Sequence, residues 1–399
     1  MGGSGVYDII YYVLAAGMAA VSGAWALLAW RVVSALRHMP RLEPPDSPTE
    51  NPPKVSVLIP AMNEEKYVGA CLESLAAQDY PDYEIIAVND NSTDDTGRII
   101  AGYAERHRNI IHVDADPRPA GWNGKNWPYC QAYRRSSGQL LLFVDADSTY
   151  AGDVISSTVG RLESRNRDAV TAFTAFEAID PLTKAVLPVH TQLIYGRGSA
   201  FDINDPDKER VLFQGSFYMM RREVYEAIGT HEATRDDVME DNALAIRTKD
   251  AGYSIELLLG HERISGLGPR DPKSVWDMLA KQSAVRYAYD RRGAVLITAA
   301  LSMILGAPLP ALAAALAAAL AGVPESWPLL ASSAVATSIM ISSTAVEARC
   351  RIKLKARYAL LAPIGGLVIA LGSIAGLGRG SYEWRGRKEE LTRPSGARR

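Results

Sequence analysis

Apolar residues are segregated along this chain. Uncharged stretches of about twenty residues or more bracket a polar, charge-rich middle, which excludes a single uniformly solvated globule. Residues 6–30 contain one charged side chain, Asp8, and as a helix they are long enough to cross a hydrocarbon core of about 30 Å. A cleaved leader would carry a shorter apolar core behind a basic segment. No Lys or Arg precedes Arg31, so the stretch reads as an uncleaved anchor. Arg31, Arg37 and Arg41 follow at once, and the positive-inside rule assigns everything from residue 31 onward to the cytoplasm. A second apolar region fills 293–378, with uncharged runs at 293–323, 327–346 and 358–378. The first holds Pro308 and Pro310 near its middle; each half is too short to span, so it reads as one kinked helix. Four spans are expected. The basic loop EARCRIKLKAR and the basic tail at 379–399 cannot both be cytoplasmic if every segment crosses. A re-entrant last segment, eased by Gly365 and Gly366, removes the conflict. The expectation is a multi-pass protein of the cell membrane with its soluble part in the cytoplasm.

The polar middle explains why the mean hydropathy is only -0.05 despite those runs. A formal net charge of -2 excludes a nucleic-acid coat, which needs a clustered basic surface. Cys71, Cys130 and Cys350 lie far apart with neither disulfide-framework nor zinc spacing, and read as buried apolar thiols. Residues 31–54, rich in proline and charge from 40 onward, form a linker. Beyond it, short β-branched runs alternate with helical stretches: VSVLIP at 55–60, a helix over 64–78, EIIAVND, a helix over 94–107, IIHV, LLLFVDAD at 140–147 and AVTAFT at 169–174. Continuous apolar strands between helices predict an α/β fold, a mostly parallel sheet with helices on both faces. The soluble domain is assigned to 55–271. SVWDMLAKQSAVRYAYDRR, at 274–292, has apolar and basic residues at helical spacing, so 272–292 reads as an amphipathic helix at the membrane surface.

Ligands of such sheets bind beyond the carboxyl ends of the strands, and here those ends are acidic. EIIAVND runs into Asp90, and LLLFV ends in Asp145 and Asp147, one residue apart. Asp and Asn also terminate strands for turn geometry alone. Paired hard oxygen ligands suit magnesium or manganese, which bind through one or two carboxylates plus substrate phosphates. Further along, Asp236, Asp237, Glu240 and Asp241 fall within six residues. Helix-dipole stabilisation accounts for some of them, but mutual repulsion among four raises the pKa of at least one, as a general base requires. His231 and His261 lack a second ligand at metal spacing and read as surface or core histidines.

In order, IPAMNEE at 59–65, VNDNSTDDT at 88–96, GWNGK at 121–125, VDAD at 144–147, FQGSFYMMRREVYEAIG at 213–229 and MED at 239–241 resemble the family 2 inverting glycosyltransferases. The similarity is to their membrane-anchored branch, which acts on ceramide, hopanoids, carotenoids or polyprenyl lipids, and it covers about 55–290. The resemblance implies a nucleotide-sugar donor, UDP- or GDP-linked, a lipid acceptor, a divalent cation and inversion at the sugar. Residue by residue, it implies that Pro60, Asn63 and Glu64 line the base and ribose pocket and that Asp90 bonds the base or ribose. Lys125 would lie near the diphosphate, with Asp145 and Asp147 on the metal and Asp241 as the base. Gln214, Gly215 and Glu240 would border the donor sugar and acceptor. The family's Gln-x-x-Arg-Trp appears only as KQSAVRYAY, offering Gln282 and Arg286 with the spacing one residue longer and Tyr287 in place of Trp. That departure favours single addition over polymer synthesis. Trp384-Arg-Gly-Arg387 is similar to a tail of the same branch and equally fits an interfacial tryptophan with basic anchors. Two other readings stay open: transfer to a polyprenyl phosphate to make a carrier lipid, and a non-catalytic membrane scaffold.

Overall fold

A computed structural model describes residues 4–45, 51–196, 200–384 and 387–391. In chain order the helix α1 (Ser4–His38) leads to β1 (Val55–Ala61), α2 (Val68–Ala76), β2 (Tyr83–Asn89), α3 (Thr96–Arg106), β3 (Ile110–Asp114), α4 (Asn126–Arg135), β4 (Leu140–Val144) and β5 (Ser148–Tyr150). There follow α5 (Val154–Ser164), β6 (Ala169–Phe173), β7 (Ala175–Glu177), α6 (Pro181–Gly196), α7 (Ala200–Asn204), β8 (Phe217–Arg221), α8 (Arg222–Ala227) and α9 (Glu240–Asp250). The rest is β9 (Ile255–Leu259), β10 (Ile264–Leu267), α10 (Pro272–Tyr289), α11 (Arg291–Leu301), α12 (Pro308–Leu320), α13 (Trp327–Cys350), α14 (Ala362–Gly376), β11 (Ser381–Trp384) and β12 (Arg387–Glu390).

These elements form two compact units. One comprises residues 39–177, 200–267 and 383–399, the other 1–38, 178–199 and 268–382. The first is built on a seven-stranded sheet in the order β3-β2-β1-β4-β8-β6-β9. All seven residues of β1 are buried, as a strand covered on both faces requires. Strands β1 to β4 run parallel, as do β6 and β9, while β8 runs antiparallel to β4 and β6. The mostly parallel α/β sheet is therefore as expected, with one reversed strand, FYMMR, that the sequence pattern did not announce. A second sheet has three strands in the order β5-β10-β7. Pro60 lies inside β1, yet its missing N–H breaks no ladder toward β4, whose pairing stops at Leu58↔Phe143. Helix α2 starts at Val68 rather than 64, because Tyr67 and Val68 both donate to the Glu64 carbonyl in a turn that reorients the chain. His231 is a core residue: it is fully buried, its Nδ1 shares a hydrogen bond with the Tyr225 hydroxyl at 2.7 Å, and burial pushes its imidazole down to about 3.

The second unit is helical. Helices at 8–38, 324–350 and 356–376 are long and apolar enough to cross a membrane. The proline-containing run bends by 47° between α11 and α12, so it supplies a fourth candidate if the pair counts as one span. Asp271 caps α10 through the Ser274 N–H, which Pro272 at the first helical position reinforces, and Asp290 caps α11 through Gly293. α6, drawn from the middle of the chain, belongs to this unit. Its Gln192 is buried, donates to the Thr344 hydroxyl at 3.0 Å and accepts from Ser343. At the end of α13, Arg351 and Glu347 form a fully buried pair at 3.1 Å. Cys71 and Cys130 are buried as expected, whereas Cys350, on the outward side of the last turn of α13, is exposed.

Candidate active site

The carboxyl ends of β1, β2 and β4 gather the strand-end residues within the sheet unit. Asn63 adopts φ 53°, a left-handed conformation that asparagine tolerates because its short amide bonds locally. Its Oδ1 accepts from the Thr93 N–H at 2.9 Å, and its own N–H donates to the Ser92 hydroxyl at 3.1 Å. Next to it the Glu64 N–H donates to Thr96 Oγ1 at 2.8 Å, while the Asp90 N–H donates to the Ala61 carbonyl at 2.8 Å. The loops after β1 and β2 are thus laced into one wall, with Glu64 and Asp90 both buried.

A second wall follows β4. The Asp145 carbonyl accepts from Tyr150 Oη at 3.3 Å, and its carboxylate pairs with Lys125 Nζ. Burial alone would depress the Lys125 ammonium; the Asp145 and Glu240 carboxylates outweigh it and raise its pKa, so the lysine stays charged. Lys125 stands at the N-terminal boundary of α4, at the end of a loop fixed by two asparagines. Asn123 Nδ2 donates to the Asp236 carbonyl at 2.7 Å and Asn126 Nδ2 to the Asp237 carbonyl at 3.0 Å. Sequence reasoning missed both; the signal was there in their three-residue spacing around Lys125. Asp236 and Asp237, which the sequence offers for their carboxylates, also hold this loop through their main-chain carbonyls.

The third part is the first turn of α9. Asp241 Oδ1 accepts from the Asn242 N–H at 2.7 Å. Gly215 lies directly against the other oxygen, where a Cβ would stand 2.6 Å from Asp241 Oδ2. Loss of water around Asp241 and then the charge of Glu240 push its carboxyl up to about 7; Asn242 and Lys125 oppose the shift. Gln214 is held through its backbone, donating to Thr171 Oγ1 at 2.8 Å and accepting from the Phe217 N–H at 2.8 Å. Pro60, Asn63, Glu64, Asp90, Lys125, Asp145, Asp147, Gln214, Gly215, Glu240 and Asp241 thus share the sheet unit. Gln282 and Arg286 lie on α10 of the helical unit, where Gln282 Oε1 accepts from His190 Nε2 at 2.9 Å.

Among the described residues no three His, Cys, Asp or Glu side chains are grouped as a metal cage. The donor set nevertheless fits magnesium or manganese: Asp145 and Asp147 are partly exposed strand-end carboxylates, and these ions take only one or two such ligands when a diphosphate supplies the others.

The family model for Glycosyl transferase family 2 matches residues 56–229, which carry both the Asn63 wall and the Asp145 wall. The chain contains a family 2 glycosyltransferase domain. Among curated relatives, "Probable glycosyltransferase YdaM" of Bacillus subtilis is 31% identical over 212 residues, 51% of this chain and 48% of that protein. The 4,4'-diaponeurosporenoate glycosyltransferase of Staphylococcus aureus is 24% identical over 195 residues, 49% of this chain and 51% of that one. The chain spans about half the length of these relatives. The fold is also similar to that of the mannosyltransferase PcManGT from Pyrobaculum calidifontis, solved with GDP-Man and Mn2+. That structure aligns over 92% of this chain and 98% of its own at TM-score 0.51 and 19% identity.

Proposed function

We propose that the protein transfers a sugar from a UDP- or GDP-linked donor to the hydroxyl of a membrane lipid, with inversion at the anomeric carbon. The observation that carries this reading is Asp241, a carboxyl raised to about 7, backed by Gly215 and in electrostatic reach of Lys125 and Asp145. Inversion requires one displacement: the acceptor oxygen bonds the anomeric carbon as the carbon–diphosphate bond breaks. Asp241 takes the proton the hydroxyl gives up, and its raised affinity suits it to hold that proton near neutral pH. Lys125 offers a fixed positive charge to the departing diphosphate. Asp145 and Asp147 would hold a divalent cation, which when bound supplies Lewis-acid neutralisation of the same leaving group. The pocket for base and ribose is assigned to Pro60, Asn63, Glu64 and Asp90; Gln214, Gly215 and Glu240 border the sugar and acceptor.

A lipid acceptor is supported by the helices apolar enough to cross a membrane and by the carotenoid-type name of one relative. We assign the sheet unit to the cytoplasmic face, where the basic residues after α1 belong. The test is incubation of membranes containing the protein with labelled UDP- and GDP-sugars, followed by mass spectrometry of the lipid extract. A labelled lipid is expected with the parent and is strongly reduced in Asp147→Asn, together with the dependence on added Mg2+ or Mn2+. Full activity of the parent in excess chelator would remove the metal from the reading. A labelled phosphate-linked lipid would turn it toward carrier-lipid synthesis.

A further inference from the structure

The loop from Ala115 to Gly124 delivers Lys125 to Asp145, and most of its tip is exposed. Pro117, Pro119, Ala120 and Gly121 are exposed, and Gly121 and Gly124 take φ of 83° and 48°. The base of the loop is fixed: Ala115 N–H donates to the Asn89 carbonyl, Asp116 to Gln131, and Asn123 to the Arg235 carbonyl at 2.6 Å. Between those anchors, Arg118 is drawn inward. Its guanidinium lies 2.6 Å from the Glu389 carboxylate, with side-chain exposures of 21% and 2%. Glu389 belongs to β12, some 270 residues later, and an almost fully buried carboxylate is tolerated in protein only when it is paired.

We propose that β12 is a strap across the donor-site loop, in which Glu389 acts through Arg118 to position the loop and with it Lys125. Both are positioning residues, since neither reaches the reacting atoms; the inference rests on the assignment of Lys125 to the donor diphosphate. Its consequence is that a segment C-terminal to the last apolar helix governs donor affinity. The pair is placed to act on donor binding rather than on acceptor deprotonation. Losing it should raise the donor KM and lower kcat, while the pH limb set by Asp241 stays where it is in the parent.

The experiment uses the full chain in detergent and compares the parent with Glu389→Gln, Arg118→Gln and the swapped pair Arg118→Glu/Glu389→Arg. UDP and GDP serve as probes with Mn2+, and amide hydrogen exchange is followed over 115–125. Each single variant is expected to weaken binding of the nucleotide that the parent prefers by about tenfold. Exchange of the loop amides should quicken, and the swapped pair should recover most of both. A folded Glu389→Gln with parental affinity and parental exchange overturns the strap, as does a swap that rescues neither. Should Glu389→Gln fail to fold, Arg118→Gln and the swap carry the same comparison. If the parent binds neither nucleotide but exchange still quickens in the variants and recovers in the swap, the strap stands and the donor assignment falls.

Discussion

A carboxylate with the ordinary aspartate pKa near 3.9 is a weak base at neutral pH; Asp241 escapes that limit because it is half-buried and loses part of its water, and because Glu240 is adjacent. The rate of transfer should therefore fall about tenfold per unit as pH drops below about 7, where Asp241 takes up its proton. In Asp241→Asn that limb should vanish, with turnover lower by about 10²–10⁴ and nucleotide affinity nearly unchanged. Asp237→Asn should stay within about tenfold of the parent. A dead Asp237→Asn beside a near-normal Asp241→Asn would refute the base. The stability sign runs the other way. A folded pKa above the unfolded one means the folded chain holds the proton more tightly, so stability is full below about 4 and declines as pH rises through about 7. Asp241→Asn should thus melt higher than the parent at pH 8 and alike at pH 4, by thermal denaturation in detergent. Gly215→Ala sets a methyl against Asp241 Oδ2, and a displaced base should cost roughly ten- to a hundredfold in kcat while donor KM holds. The aspartates were legible because strand ends and a helix start announce themselves locally. Gly215 was named through resemblance, but its role as the backing of Asp241 depends on a contact across 26 residues of chain.

At the level of elements, α14 is the instructive case. Its 15 residues reach about 22 Å, and the 3₁₀ stretch Ala356–Leu361 before it completes the 21-residue candidate span; its glycines set its neighbours. Gly365 lies against the Ala185 carbonyl of α6, Gly366 against Leu305 and Met340, and Gly372 and Gly376 against Leu279 and Ala280 of α10. Both α6 and α10 join directly, in the chain, to segments of the sheet unit. We expect α14 to enter and return on one side, as a re-entrant last segment would. Reporters at residue 45 and at residue 381 should then give the same cytoplasmic signal; opposite signals would make α14 a full crossing. Gly365→Leu forces a side chain into the Ala185 backbone and should destabilise the protein by about 1–3 kcal/mol, read as a lower melting temperature in detergent. That α6 belongs among these helices was not legible. Lys184, His190 and Gln192 interrupt its apolar run, and they become acceptable only when partners such as Gln282 and Thr344 satisfy them.

Over the whole molecule, the sheet unit is assembled from 39–177, 200–267 and 383–399, so the chain leaves it twice for the helical unit before its last strand returns. A soluble fragment cut at 55–271 would lack Glu389 and would strip α6 of its partners on α13 and α14, and we expect it to aggregate or to bind nucleotide more weakly than the full chain. Size-exclusion chromatography and nucleotide binding of the two would check this; a monomeric fragment with full affinity would contradict it. The sequence alone determined what depends on short-range pattern. Uncharged runs fixed which stretches can enter a bilayer, β-branched runs between helices fixed a mostly parallel sheet, and acidic strand ends marked its ligand edge. The tertiary structure decided what depends on distant partners: the reversed strand β8, the place of α6, the backing of Asp241 by Gly215, and the pairing of Arg118 with Glu389. The physical reason is that hydrophobic periodicity is written within a few residues, whereas a buried charge or a close backbone approach is paid for by a group that the chain can supply from any distance.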